Sequence, residues 1–163
     1  MEKELSDYSK QDASLIEKII QLTPIGWVRS PIRCTPRPEY DWDGVGAEII
    51  ITPSLSSGLE GLERYTHIIV IYWAHKATNP SDMALQVRHR GDPGLPIVGV
   101  FASRSPYRPV PLGQKVARLL EIKDNVIRVE GLDAIDGTPV LDIKPFIPNY
   151  DAPEGASAPR WER

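Results

Sequence analysis

Thr66-His67-Ile68-Ile69-Val70-Ile71-Tyr72-Trp73-Ala74 contains the longest apolar run of the chain, from Ile68 to Ala74. It is far short of the ~20 residues a membrane-spanning helix needs. Its composition predicts a strand. Apolar side chains at both parities predict burial on both faces, or one face at an interface.

Further strands are predicted on either side of it, at 25–29, 47–52, 97–102, 116–122, 126–130 and, as a short one, 140–143. Turn residues separate them. Val126-Ile127-Arg128-Val129-Glu130 alternates in part, as a half-exposed strand does. A helical turn is predicted at 59–65. Long helices do not alternate with the strands, which argues against a doubly wound parallel sheet. The reading is mainly β: about seven antiparallel strands in a barrel or sandwich, with short peripheral helices. Residues 1–22 read as an extension with a helix at 12–22. Ser14 and Glu17 form a capping box there, ahead of the stripe Leu15, Ile16, Ile19 and Ile20. Residues 23–150 form the domain, and 151–163 read as a loose tail.

The chain has 163 residues, 41% hydrophobic and 25% charged, which fits one globular domain and excludes disordered and fibrous classes. Cys34 is its single cysteine, so an internal disulfide framework is excluded and a reducing, cytoplasmic setting is expected. No charged and apolar leader pattern is read at the start, and no membrane span is expected. The 16 prolines fall mostly in connections and predict rigid, shaped loops. A net charge of −3 argues against a bulk polyanion binder. Yet residues 88–118 hold Arg88, Arg90, Arg104, Arg108, Lys115 and Arg118 against Asp92 alone. That bias suits either a local anion site or a solvated face of arginines.

Gly44 and Gly46 make only GxG, and the chain has no P-loop and no GxSxG elbow. Classical dinucleotide, nucleoside triphosphate and α/β-hydrolase sites are thereby excluded. His67 and His75 would lie roughly 26 Å apart on one straight strand. Zinc ligands must each approach the ion to about 2.0–2.3 Å, so no metal is expected.

Two stretches concentrate chemistry. Gly99-Val100-Phe101-Ala102-Ser103-Arg104-Ser105-Pro106-Tyr107-Arg108-Pro109-Val110-Pro111-Leu112-Gly113 runs a strand into a proline-stiffened loop. Its two arginines offer forked donors for carboxylate, phosphate or a base edge, and Tyr107 offers a stacking face. Their alternative role is to cap neighbouring carbonyls. Leu132-Asp133-Ala134-Ile135-Asp136-Gly137-Thr138-Pro139-Val140-Leu141-Asp142-Ile143-Lys144-Pro145 places three carboxylates around an Asp-Gly turn. They suit hydroxyl or amine binding or base chemistry, and Asp136 suits turn capping equally.

Together with Pro24-Ile25-Gly26-Trp27-Val28-Arg29-Ser30-Pro31, Gly61-Leu62-Glu63 and Thr66-His67-Ile68, these stretches resemble the TrmO (TsaA-like) methyltransferases over about residues 23–150. The resemblance implies one antiparallel β-barrel, a homodimer, and S-adenosylmethionine bound near the subunit interface. It implies methylation of the exocyclic nitrogen of threonylcarbamoyladenosine, beside the anticodon of tRNA. By position it implies a cofactor site of Pro36, Arg37, Pro38, His75, Lys76, Arg104, Gln114, Asp133, Ala134, Ile135 and Asp136. Arg88, Arg90, Tyr107, Arg108 and Lys144 fall to the substrate side. Asp142 is the candidate base, or else a structural partner of Lys144.

The sequence departs from the family pattern at three places. Val110 stands where the family loop carries asparagine, Gln114-Lys115 displaces a serine, and Pro36-Arg37-Pro38-Glu39 lacks a glutamine. The further C-terminal domain of longer bacterial members is not expected after residue 150. Two alternatives stand beside the tRNA reading: the same barrel methylating a small molecule or another modified nucleotide, or a barrel that binds the cofactor without catalysis.

Overall fold

The computed structural model describes residues 20–36 and 40–160. The helix expected at 12–22 lies mostly outside them. Ile20 and Leu22, its last apolar residues, have no regular structure and stand 82% and 57% exposed.

Six strands close an antiparallel barrel: β1 (Gly26–Arg29), β2 (Gly46–Ile51), β3 (His67–Trp73), β6 (Leu112–Lys123), β7 (Val126–Glu130) and β8 (Pro139–Pro145). Their order round the ring is β1-β2-β7-β6-β3-β8, and β8 returns to β1 through Gly26↔Val140 and Trp27↔Pro139. Two short strands, β4 (Gln86–Arg88) and β5 (Ile97–Gly99), form a separate ribbon. Short 3₁₀ turns lie between strands, and one turn of α-helix follows at Pro148–Asp151.

Strand parity fills the interior. Val28, Ile49, Ile51, Ile68, Val70, Ile127, Val129 and Val140 point inward, each at most 2% exposed. Burying each such side chain contributes about 1.5–3 kcal/mol relative to leaving it in water. In β6 the parity shifts at a bulge: the register with β7 slips between Leu119 and Glu121. Leu119 and Ile122 pack on the core, and Leu120 between them is 45% exposed. One extra residue in one strand has this effect. On the outer wall Arg29 faces Glu48, Arg128 faces Glu121 and Arg118 faces Glu130, at 2.9, 3.0 and 3.7 Å. These exposed cross-strand pairs each contribute about 0.2–1 kcal/mol.

The barrel outcome of the sequence reading holds, with six strands in the ring. Residues 97–102 divide into β5 and a 3₁₀ turn, Val100–Ala102. The turn expected at 59–65 is replaced by two, Pro53–Leu59 and Leu62–Arg64, parted by Gly61 at φ 86°. Pro53 starts the first, since its fixed φ suits a helical entry. β3 is buried at Ile68, Ile69, Val70 and Tyr72, and is therefore covered on more than one face along its middle.

Candidate functional site

Tyr72 is the inward residue at the end of β3, and it organises one mouth of the barrel. Across the ladder it pairs with Gly113. A Cβ on Gly113 would lie 2.2 Å from the Tyr72 ring, so only glycine lets the ring lie flat across the neighbouring strand. The Tyr72 hydroxyl donates to Asp133 Oδ1 at 2.8 Å and to the Asp133 carbonyl at 3.2 Å. Burial, then the Asp133 charge, raises the phenol well above its ordinary value. Burial likewise raises the Asp133 carboxyl above the usual carboxylate range, against the Tyr72 bond and the charges of Lys115 and Arg104. The pair thus places a shielded polar group between two hollows.

The first hollow is a cleft of about 240 Å³. Arg104, His75, Lys76 and Asp133 bring it charge or hydrogen-bonding capacity, while Trp42 and Tyr107 give it aromatic wall. Burial and the neighbouring Lys76 charge lower His75 below its ordinary value, which favours its neutral form. The second hollow is an open groove of about 910 Å³ along the ends of β3 and β6, lined by residues of both parities. Arg104, Tyr72, Leu112, Gly113 and Asp133 border both.

The loop after β5 reaches this mouth in a fixed shape. The Ser105 amide donates to Ser103 Oγ and the Tyr107 amide to Ser105 Oγ, both at 3.3 Å. The Arg108 amide donates to the Pro106 carbonyl at 3.0 Å. Serine hydroxyls that bond amides two residues on stiffen such turns, and the prolines add to the effect. The opposite rim is Leu132 to Thr138. Asp136 fastens it: its Oδ1 accepts from the Ser30 amide at 3.0 Å, and its own amide donates to the Ile32 carbonyl at 2.7 Å. Gly137 closes the turn at φ 76°.

Of the residues that the sequence proposes for the cofactor, Pro36, His75, Lys76, Arg104, Asp133, Ala134 and Ile135 line the cleft together. Arg37 and Pro38 lie outside the described residues. Gln114 borders the groove instead, on the outward parity of β6. The Asp136 carboxylate is occupied by the Ser30 amide, a long-range bond between segments rather than the local turn capping that the sequence left open. Tyr107 borders the cleft and Arg108 the groove. Arg88 and Arg90 join neither. Arg88 donates to the Leu95 carbonyl at 2.5 Å, and Arg90 sits at φ 51° in the turn after β4.

Asp142 does not reach this mouth. The ladder sets it opposite Ile71, on the outward parity of β3, and it pairs with Lys144 at 2.5 Å. It borders a third hollow of about 650 Å³, walled by Ile25, Leu55, Leu59, Leu62 and Ile143. Among the described residues no three His, Cys, Asp or Glu side chains gather as a metal site requires. Among them, too, no helix is long and apolar enough to cross a membrane. Sequence reasoning missed Tyr72. Its signal was a lone phenol at the inward parity, in line with the aliphatic Ile68 and Val70.

The closed barrel, with its stiff arginine loop at one mouth, has the fold of the barrel-type methyltransferases rather than of the parallel-sheet ones. It superposes on the crystal structure of TrmO from Pseudomonas aeruginosa with a TM-score of 0.70 and 29% identity, over 90% of this chain and 63% of that one. Residues 30–152 match the tRNA-methyltransferase O N-terminal domain, and the chain belongs to that family. It is 38% identical over 136 residues to a probable S-adenosyl-L-methionine-binding protein of Archaeoglobus fulgidus, covering 82% of this chain and 36% of the relative. It is 38% identical over 99 residues to a mouse tRNA (adenine(37)-N6)-methyltransferase, covering 61% of this chain and 22% of the relative. The chain thus spans about a third of the archaeal relative and a smaller share of the mouse one.

Proposed function

We propose that this chain binds S-adenosylmethionine in the cleft beneath Arg104. We propose further that it methylates the exocyclic nitrogen of threonylcarbamoyladenosine at position 37 of tRNA. The observation that carries the reading is the set of groups at one mouth. The Arg104 guanidinium and the Tyr72-bonded Asp133 carboxyl face a cleft with aromatic and apolar walls, at the positions where the family resemblance puts the cofactor.

The donor set fits the cofactor's chemistry. A guanidinium suits an amino-acid carboxylate. A carboxyl group suits ribose hydroxyls or an amine, and Trp42, Tyr107 and Pro36 offer apolar surface for a purine. When bound, the cofactor supplies a methyl group on a positively charged sulfonium. The chain's contribution is alignment and exclusion of water, the main sources of rate in such a displacement. Arg104 borders cleft and groove alike, so one residue touches both the cofactor side and the acceptor side. Burial and the Lys76 charge favour the neutral form of His75, which limits the positive charge gathered there.

The mouse relative, a tRNA (adenine(37)-N6)-methyltransferase, supports the tRNA acceptor, and so do the cations of the groove. A cytoplasmic setting and a homodimer belong to the same reading, the latter tested by sedimentation equilibrium. Calorimetric titration with S-adenosylmethionine, beside Arg104→Ala, tests the cofactor. Saturable binding that weakens at least tenfold in the variant is expected, and absence of binding overturns the reading. Methyl transfer to tRNA with and without threonylcarbamoyladenosine then tests the acceptor. Equal activity on both substrates, or activity on a small molecule alone, would replace it.

A further inference from the structure

Phe101 is out of place for a residue that serves only packing. It is 78% exposed, while Val100 beside it is buried. Its 3₁₀ turn is fixed from several sides. The Val100 amide donates to the Leu85 carbonyl at 2.9 Å. The Ser103 amide and hydroxyl both donate to the Val100 carbonyl, at 3.2 and 2.8 Å. Arg108 donates to the Ser103 carbonyl at 3.4 Å, and its guanidinium carbon lies 5.9 Å from the centre of the Phe101 ring. The ring is therefore held outward by a rigid backbone, with a guanidinium against it.

Phe101 borders the 910 Å³ groove, which also carries Arg104, Arg108 and Lys115. Folding leaves its apolar area in water at the rim of a cationic groove, where a bound partner would cover it. Two occupants can cover a phenylalanine: another protein surface or a nucleobase. The groove's three cations put a polyanion ahead of an uncharged protein surface as its occupant. A ribose-phosphate chain meets those cations favourably while its bases stack on the ring.

We infer that Phe101, backed by Arg108, is a stacking platform for an unpaired nucleobase of a single-stranded RNA loop, one that flanks the modified adenosine. The inference rests on the tRNA reading above and adds a recognition element outside the cofactor cleft. Single-stranded RNA is read by bases splayed onto aromatic and guanidinium planes, and such a platform accepts any base. It selects an unpaired loop over a duplex. The neighbouring cations position the backbone without reading sequence.

The test measures binding of a short stem-loop RNA carrying a tRNA anticodon loop. The proteins are the wild type, Phe101→Ala, Phe101→Leu, Phe101→Trp and Arg108→Ala. Phe101→Ala and Phe101→Leu should weaken binding about tenfold, because leucine keeps apolar bulk but lacks a π face. Their salt dependence should match the wild type, since no phosphate contact is lost. Phe101→Trp should bind within about twofold, and Arg108→Ala should weaken binding and flatten the salt slope. Cofactor titration should be unchanged in the Phe101 variants. Wild-type affinity in Phe101→Leu overturns the platform and leaves the tRNA reading standing. So does dissociation of a dimer on Phe101→Ala, which would assign the ring to a second copy. A wild-type protein that binds S-adenosylmethionine but not the stem-loop overturns the tRNA reading and the platform together.

Discussion

Two grooves on one barrel are of comparable size and opposite character. The groove bordered by Phe101 measures about 910 Å³, and the one under the 3₁₀ turns at Pro53–Leu59 and Leu62–Arg64 about 650 Å³. The first gathers Arg104, Arg108 and Lys115 beside a phenol-bonded carboxyl. The second sets Glu60 and Asp142 against Arg64 on a wall of aliphatic side chains. Volume alone does not separate them. The difference lies in what stands behind each polar group: hydrogen-bonded loops in the first, and in the second an exposed pair, Asp142–Lys144.

The strongest test of that contrast removes one cation from each groove. Arg104→Ala should cost cofactor affinity by at least tenfold, the about 1.5–3 kcal/mol of a hydrogen bond to a charged group. Arg64→Ala should leave it unchanged. Equal losses in calorimetry would erase the distinction. Next comes a methyl group added to each. Gly113→Ala drives a Cβ into the Tyr72 ring, whereas a Cβ on Gly58 meets nothing within 4 Å. Denaturant unfolding should therefore show a loss of about 1–3 kcal/mol for the first and little change for the second.

A smaller effect follows from Tyr72. Its folded-state phenol is raised above the ordinary value of 10.0, so the unfolded chain loses its proton first. The stability associated with it is intact below pH 10.0 and declines as pH rises further toward the folded value. Tyr72→Phe should remove this part of the alkaline decline in a pH series of unfolding. The smallest effect is expected for Asp142→Asn. It breaks an exposed ion pair that water screens, so unfolding should change little. Cofactor affinity should not change. A tenfold loss of methyl transfer would instead make Asp142 the proton acceptor and move chemistry to the other wall.

The barrel was legible where strand pattern and core parity agree. β7 lies where Val126-Ile127-Arg128-Val129-Glu130 was read, and β3 differs from its reading by one residue at each end. β6 was read as starting at 116 but begins at Leu112. Pro109, Pro111 and Gly113 signal a loop locally, and only pairing with Trp73 and Tyr72 makes that stretch a strand. The three residues of β4 lie in a polar stretch, too short to show a period. In the site, Arg104 and Asp133 followed from motifs, whereas Tyr72 and Phe101 did not. Both read as ordinary apolar-segment residues until the fold shows what one hydroxyl reaches and how far one ring is left in water.

The ring also has a clasp. Every other neighbouring pair in the barrel shares at least four residues in register, while β1 and β8 share two, Gly26↔Val140 and Trp27↔Pro139. Beyond those two pairs, the Gly137 amide donates to the Val28 carbonyl, the Asp136 amide to the Ile32 carbonyl and the Ser30 amide to the Asp136 carboxylate, so the ring is latched here by its loop more than by its ladder. With the latch removed by Asp136→Ala, deuterium should enter the amides of Ile25 and Val28, which bond the carbonyls of Val140 and Thr138, before it enters the β3–β6 staves.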